Sequence, residues 1–448
     1  MELTGVISKD GQNKQVLDKL KVERERGITV KAQTVTMFHE FKGQRYLINL
    51  IDCPGHVDFA YEVSRSLAAC QGSLLLVDAA QGIQAQTVAN FFLAFSEGLA
   101  LLPVVNKIDL PSANPGKVAE QIENAFEMDA SSILGVSAKT GKGVPELLDR
   151  IIERVPPPTG HVNGPFRGLL FDTWYDKYVG VICLVAIKDG SVKKGDRIVS
   201  AHSKLSYEVA NLGILHPDPV PRPKLSTGQV GFIVLNMKST REAHIGDTFH
   251  HASTPASSIE ILPGFRPAKS MVFSGLYPLD ASEYPHFSDA IDRLTLNDAS
   301  VSVAKETSTS LGQGFRLGFL GTLHMDVFRE RLEDEYQANV INTMPTVPYL
   351  IRHTDKSELL IQNPSEFPDP SEHARVQDFL EPFVMGTLVF PSEYLGSLMD
   401  LCGSRRGEQQ EYSYLDANRV IMKYKLPLAE VLTDFYDQLK SKSSGYAR

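Results

Sequence analysis

The chain has 448 residues, 42% hydrophobic and 22% charged, with a formal net charge of −9. At about 100–200 residues per domain this predicts two to four globular domains, and it excludes a long disordered or collagen-like chain and a protein held on nucleic acid by bulk charge alone. No run of about 18 apolar residues occurs, Met1 to Asp10 has neither a signal-peptide nor a transit-peptide pattern, and Cys53, Cys70, Cys183 and Cys402 form no C-x-x-C pair. These features point away from a transmembrane helix, a disulfide framework or a zinc site and toward a reducing compartment.

Ala32 to Phe41 reads as a strand that turns at Lys42-Gly43 into a second, Arg45 to Ile51. Strands follow at Ser73 to Val77, Leu101 to Val105 and Ile133 to Val136, with helices predicted at Val57 to Ala69, Gln84 to Ser96, Lys117 to Phe126 and Val144 to Val155. That alternation predicts an α/β domain with a parallel sheet covered on both faces. Pro156-Pro157-Pro158 stops the last helix, giving a first domain over 1–158. Short β-rich runs such as Gly180 to Ile187 and Gln229 to Val234, separated by Lys188-Asp189-Gly190 and Lys194-Gly195-Asp196, predict a small antiparallel β-barrel over 163–252. The stretch 265–347 reads strand, helix, two strands, helix, strand, with helices at Leu279 to Leu294 and Leu323 to Tyr336, the order of a ferredoxin-like α+β domain. Residues 348–372 are polar and proline-bearing and read as a linker. Residues 373–448 repeat the α+β texture, with helices near Ser392 to Cys402 and Leu428 to Leu439.

Four short pieces carry chemistry. Arg24-Glu25-Arg26-Gly27-Ile28-Thr29 precedes the hairpin, Asp52-Cys53-Pro54-Gly55-His56 follows the strand ending at Ile51, Asn106-Lys107-Ile108-Asp109 follows Val105, and Ser137-Ala138-Lys139 follows Val136. The last three are expected at the carboxyl ends of parallel strands, where open α/β sheets bind ligands. A strand-end Asp such as Asp52 can hold hydrated Mg²⁺, and Gly55 lets a backbone N–H approach a phosphate oxygen. Thr29 on a loop can ligate the same metal only while a terminal phosphate is present, which makes the loop a switch. Asp109 can accept two hydrogen bonds from adjacent N–H donors, which guanine has and adenine lacks. His56 lies where it could orient a water toward the terminal phosphate. Alone, N-K-x-D is a weak match, D-x-P-G an ordinary turn and S-A-K almost nothing. Their order on successive strand ends makes the combination specific.

These residues closely resemble the translational GTPases, the group that includes elongation factors Tu and G. The resemblance implies a multidomain chain: a P-loop-type α/β GTPase domain, a barrel and two ferredoxin-like domains, the last similar to domain V of elongation factor G. It implies GTP and Mg²⁺ as cofactors, with Thr29 and Asp52 on the metal and Gly55 on the γ-phosphate. His56 positions the hydrolytic water, and Ile28 forms one side of an apolar gate above it. Cys53 and Pro54 complete the second switch, Cys53 standing where Thr or Ala is usual. Asn106, Lys107, Ile108 and Asp109 read guanine, supported by Ser137, Ala138 and Lys139. Only Thr346 to Arg375 separates the two α+β units, too short for the large inserted domain of elongation factor G.

Leu317 to Asp326 (L-G-F-L-G-T-L-H-M-D), Ala268 to Pro278, Leu296 to Ser300 and Lys440 to Ala447 resemble the LepA family (elongation factor 4), and Asn13 to Val30 looks most like its mitochondrial members. The resemblance implies a monomeric ribosome-associated translation factor that remodels tRNA positions, of back-translocation type, at the expense of GTP. Its partners would be the mitochondrial ribosome with its rRNA and tRNA. The implied location is the mitochondrial matrix, with peripheral association with the matrix side of the inner membrane; the alternative is a bacterial or organellar equivalent of the cytosol.

Two departures are plain. The family opens with a first strand and a G-x-x-x-x-G-K-[ST] loop, and no such loop occurs in the 448 residues; the family's basic C-terminal domain is also not represented. The chain therefore reads as a fragment whose absent first strand would lie between Arg45 to Ile51 and Ser73 to Val77. A truncated factor that docks on the ribosome without a nucleotide cycle is the alternative function. A BipA-like branch is the other, and G-F-L-G-T-L-H-M argues against it.

Overall fold

The computed structural model describes residues 1–8, 15–176, 178–237, 242–255, 258–265 and 268–447. Asn13 and Lys14 of the stretch likened to the mitochondrial members, and Arg448, lie outside the described residues.

A short helix α1 (Lys21–Arg26) leads into the hairpin of β1 (Gln33–Phe41) and β2 (Gln44–Asp52), which pairs in unbroken register from Gln33↔Asp52 to Phe41↔Gln44. Lys42 and Gly43 both take positive φ, the conformation that matches a two-residue turn to the twist of its strands. The parallel sheet is β3 (Gly72–Asp78), β4 (Ala100–Asn106) and β5 (Leu134–Gly135) in that order. Its helices are α2 (Ala60–Leu67), α3 (Ala85–Ser96), α4 (Pro115–Phe126) and α5 (Val144–Arg154). Alternation decides the layers. Leu75, Val77 and Val105 meet Phe91 of α3 and Ile122 of α4 on one face, while Leu74 and Val104 meet Leu147 and Ile151 of α5 on the other.

One expectation needs correction. Asp52 is expected at the end of a parallel strand, but among the described residues β2 pairs only with β1, in a separate two-stranded sheet. Leu76, in the middle of β3, is 55% exposed. The strands predicted to flank an absent partner thus have no ladder with each other.

The barrel strands run from β6 (Arg167–Asp176) to His251, and eight of them form one antiparallel sheet. Phe166, Leu170, Ile198, Leu212 and Phe249 fill the interior, while Leu169, Phe171 and Leu184 on the outer face pack against Ala69 of the first domain. The third domain has helices α6 (Tyr284–Leu296) and α7 (Thr322–Tyr336) over a four-stranded antiparallel sheet. Its strand order is Ser302–Ser308, Gly312–Phe319, Val272–Pro278, Val340–Asn342, the split βαβ arrangement predicted.

The predicted linker over 348–372 is partly structured. Tyr349–His353 and Glu358–Ile361 form a hairpin, and Val376–Leu380 adds a third strand to it. The prolines that suggested a linker lie outside the strands, and Tyr349-Leu350-Ile351 pairs with Leu359-Leu360-Ile361 across the turn. The sheet-forming part of the last domain begins at Phe383, with Arg419–Pro427 central between Phe383–Pro391 and Glu408–Asp416. The helix predicted at Leu428 to Leu439 breaks into Leu428–Val431 and Phe435–Lys442. This domain packs onto α3 and α4. Val389 and Leu415 enter the first domain's core, Gln121 Nε2 donates to Asp416 Oδ2 at 2.6 Å, and Arg419 Nη1 donates to the Ile83 carbonyl at 3.1 Å.

A folding prediction follows from these interfaces. Residues 1–158 expressed alone would expose the apolar face that Val389 and Leu415 cover. Each Å² of apolar surface so uncovered forfeits about 25 cal/mol, against a total stability of about 5–15 kcal/mol. We expect this piece not to give a cooperative unfolding transition. Residues 166–448, whose three remaining cores are complete, should give one. Circular dichroism during chemical denaturation of both pieces checks this, and a cooperative transition for 1–158 would refute it.

Candidate functional site

The loops after β4 and β5 close on one another. Asn106 ends β4, and its Oδ1 accepts from its neighbour Lys107 N at 2.8 Å and from Ala138 N at 3.1 Å, stapling the two loops. Lys107 takes a left-handed φ of 64°, which turns the chain back. Ser137, fully buried, donates its hydroxyl to Asp109 Oδ1 at 2.7 Å and accepts from Thr140 N at 3.2 Å. That hydroxyl is the main reason the Asp109 carboxyl sits below its ordinary value. Lys107 Nζ lies 2.9 Å from Asp78 Oδ2 at the end of β3. Burial would push the Asp78 carboxyl up, but Lys107 and the amides of Ala80 and Gln81 carry it below its ordinary value. Ile108 is half-buried and packs into the first-domain core, and Lys139 is exposed. The residues predicted to read a guanine base are therefore assembled, with an ionised carboxylate held at the surface.

The two predicted switches lie near enough for Asp18 and Glu23 to act on Asp52. Gly27, at φ 65°, closes α1 as its left-handed cap. Glu23 organises the segment around it: Oε2 accepts from Leu20 N at 2.9 Å, and Oε1 accepts from Val30 N at 2.9 Å and Lys31 N at 3.0 Å. Glu23 is fully buried. Thr29 donates its hydroxyl to Asp18 Oδ1 at 3.3 Å. Burial pushes the Asp52 carboxyl up to about 6, helped by the negative charges of Asp18 and Glu23.

Cys53 is packed against Val63, Leu67 and Ala94, and burial pushes its thiol up to about 12, so it serves as a small apolar filler. Pro54 is buried and Gly55 exposed, with open space where a Cβ would stand. The Gly55 carbonyl accepts from Asn90 Nδ2 at 2.9 Å. His56 caps the single 3₁₀ turn Val57–Phe59, its Nδ1 accepting from Asp58 N at 3.2 Å.

Sequence reasoning missed Glu23, Asp18, Asp58 and Asp78. Each lies close to a recognised motif or at a strand end, but nothing in local spacing shows that a Glu will be buried or which amides it will accept from. Glu23→Ala removes three charge-assisted acceptor contacts to backbone N–H groups. The expected result is a loss of about 3 kcal/mol of local stability, seen as faster hydrogen exchange at Val30 and Lys31. Unchanged exchange there would show that the segment is held by something else.

Comparison with known proteins bears on the family and the fold. Residues 1–157 match the family model described as elongation factor Tu GTP binding domain, and residues 378–448 match that described as elongation factor G C-terminus. A crystal structure of a Thermus thermophilus protein superposes with a TM-score of 0.66 over 100% of this chain and 92% of that one, at 18% identity, which shows a shared fold. The matched GTP-binding domain and the shared fold define a translational GTPase of the elongation-factor type. A mitochondrial translation factor GUF1 homolog from Trichoplax adhaerens is 57% identical over 454 residues, covering 100% of this chain and 68% of the relative. The Arabidopsis thaliana homolog is 56% identical over 452 residues with the same coverage, and the Bos taurus translation factor GUF1 is 54% identical over 455, with 67% of it covered. The chain belongs to the GUF1 family of translation factors, the family signalled by L-G-F-L-G-T-L-H-M-D.

Proposed function

We propose that the site binds GTP with Mg²⁺ and hydrolyses the γ-phosphate while the protein is bound to the ribosome of the mitochondrial matrix. The cycle remodels tRNA positions in the back-translocation sense, and the factor acts as a monomer. The observation that carries this reading is the Asn106 staple between N-K-I-D and S-A-K, together with the Ser137–Asp109 bond. Asp109 accepts from the guanine edge, and Asn106 and Lys107 hold the loop that presents it. Gly55 offers its backbone N–H to the terminal phosphate, and His56 orients a water.

The metal fits the residues present. Asp52 is a half-buried carboxylate raised by burial and by the negative charges of Asp18 and Glu23, a cost that a divalent cation would relieve. Asp52, and Thr29 once its hydroxyl leaves Asp18, are the residues that would hold Mg²⁺, which when bound neutralises phosphate charge. The matrix location rests on the mitochondrial naming of the relatives. No helix among the described residues is long and apolar enough to cross a membrane.

The alternative reading does without GTP turnover. On that reading the chain docks on the ribosome without a nucleotide cycle. Nucleotide competition with a fluorescent GTP analogue separates the two. The 448-residue chain is expected to bind weakly. The same chain carrying a strand–loop–helix segment with G-x-x-x-x-G-K-[ST] at its amino terminus is expected to bind GTP in the micromolar range, with adenine nucleotides failing to compete. Equal competition by adenine nucleotides would sink the guanine reading. Failure of the extended chain to bind any nucleotide would favour docking alone.

A further inference from the structure

Helix α7 of the third domain begins at Gly321, a cap residue with no side chain, so none of its own atoms satisfies the first amides of the helix. An acceptor arrives from another domain. Asp58, in the turn after His56, accepts through Oδ2 from Leu323 N at 2.8 Å and from His324 N at 3.4 Å. The fit depends on the glycine: a Cβ at Gly321 would overlap the carboxylate of Asp58. The backbone N–H of the same Asp58 donates to His56 Nδ1 at 3.2 Å. In the neutral ring this places the proton on Nε2. One residue thus meets the His56 ring through its amide, with its Oδ1 3.6 Å from the same Nδ1, and holds the third domain through Oδ2.

The helix that Asp58 caps is anchored at both ends of the path. Toward the first domain, Phe59 and Val22 pack on Val327, Arg26 Nε donates to Glu330 Oε2 at 2.9 Å, and Lys21 Nζ donates to Asp334 Oδ1 at 2.7 Å. Toward the third domain, His324, 2% exposed, lies with Nε2 2.8 Å from Asp298 Oδ2, and its Nδ1 accepts from Leu320 N at 3.2 Å. The adjacent Asn297 Oδ1 accepts from Tyr175 N of β6 at 2.8 Å. Hydrogen bonds therefore run from the His56 ring through α7 to the barrel.

We propose that Asp58 is a positioning residue that ties the orientation of His56 to the seating of α7, so that the placement of the third domain sets whether His56 presents Nε2 to the terminal phosphate. This rests on the hydrolytic role proposed for His56. A shift of α7 away from the first domain takes the carboxylate of Asp58 with it or leaves it unpartnered. In the first case the amide that fixes the ring is drawn away with it.

The test uses the 448-residue chain with ¹⁵N-labelled histidine, the His56 signals being assigned by their loss in His56→Gln. The parent is expected to show His56 as the Nε2–H tautomer, with slow exchange at Leu323 and His324. Gly321→Ala, which leaves Asp58 itself unaltered, should mix the His56 tautomers and speed exchange at those two amides by about tenfold, the loss of one hydrogen bond. Asp58→Ala should do the same, and Asp58→Asn, which keeps an acceptor and the amide, should restore most of the parent behaviour. An unchanged His56 signature in Gly321→Ala overturns the proposal, whether or not exchange on α7 changes, because capping would then be structural only. Neither measurement needs nucleotide. In the extended chain with ribosomes, Gly321→Ala should lower kcat by about tenfold at unchanged KM for GTP. An extended parent that hydrolyses no GTP would remove the function proposed above, while the tautomer and exchange data would still decide the coupling.

Discussion

Asp109→Asn, in a chain extended with a G-x-x-x-x-G-K-[ST] segment, is expected to lose GTP affinity by about 10²-fold or more and to gain affinity for xanthosine triphosphate. Two hydrogen bonds to a charged acceptor contribute about 1.5–3 kcal/mol each, and an amide facing the same guanine edge presents a donor where an acceptor is needed. The geometry makes the substitution clean. Asp109 is exposed at the tip of its loop, and the staple between the loops is made by Asn106 and Ala138 N, which the change leaves in place. Xanthine carries an oxygen where guanine carries its amino group, so it restores a matched pair. Competition with both nucleotides checks this, and unchanged GTP affinity in the variant would remove Asp109 from the base site.

His56→Ala in the same extended chain should leave GTP binding nearly intact and slow ribosome-stimulated hydrolysis by at least about 10²-fold, the contribution of a positioned group that handles or orients a water. The structure supports separating the two effects. His56 lies in a one-turn 3₁₀ segment, its ring meeting the amide and, at 3.6 Å, the carboxylate of nearby Asp58, whereas the loops proposed to read the base lie at the ends of β4 and β5. Single-turnover hydrolysis on ribosomes, beside equilibrium nucleotide binding, gives the comparison. A loss of binding as large as the loss of rate would make His56 a structural residue.

These two variants and Gly321→Ala act at different points of one arrangement. In the proposed function Asp109 concerns the base and His56 the water, and Gly321 is proposed to reach His56 from a different domain through Asp58. Parallel loss of kcat in His56→Ala and Gly321→Ala, with nucleotide affinity kept in both, is the pattern expected if the third domain governs hydrolysis through the second switch.

Much of the molecule was legible locally. Alternating apolar residues place Leu74 and Leu75 on opposite faces of β3, the turn pair Lys42-Gly43 sets the hairpin, and strand–helix periodicity marks the third domain in its correct order. The motif residues Asn106, Asp109 and Ser137 could be named because their roles depend on short spacing at strand ends, which the chain carries within itself. The stretch 348–372 misled because proline and polar content outweighed two short apolar runs whose pairing partner, Val376–Leu380, lies beyond the following turn.

What only the tertiary structure decided is where charges are buried and which domains they join. Glu23, Asp58 and Asp78 are ordinary acidic residues by composition, and their functions come from backbone amides and a lysine brought to them by folding. The glycine at 321 reads as part of a family motif. Its physical reason, room for an Asp 263 residues earlier in the chain to cap a helix, exists only once the first and third domains are packed together. Periodicity and turn chemistry are properties of neighbours along the chain, so the sequence alone determined the elements and the strand-end motifs proposed to read the base. Capping in trans and the burial of charge depend on groups distant in sequence, and those were settled by the packing of one domain on another.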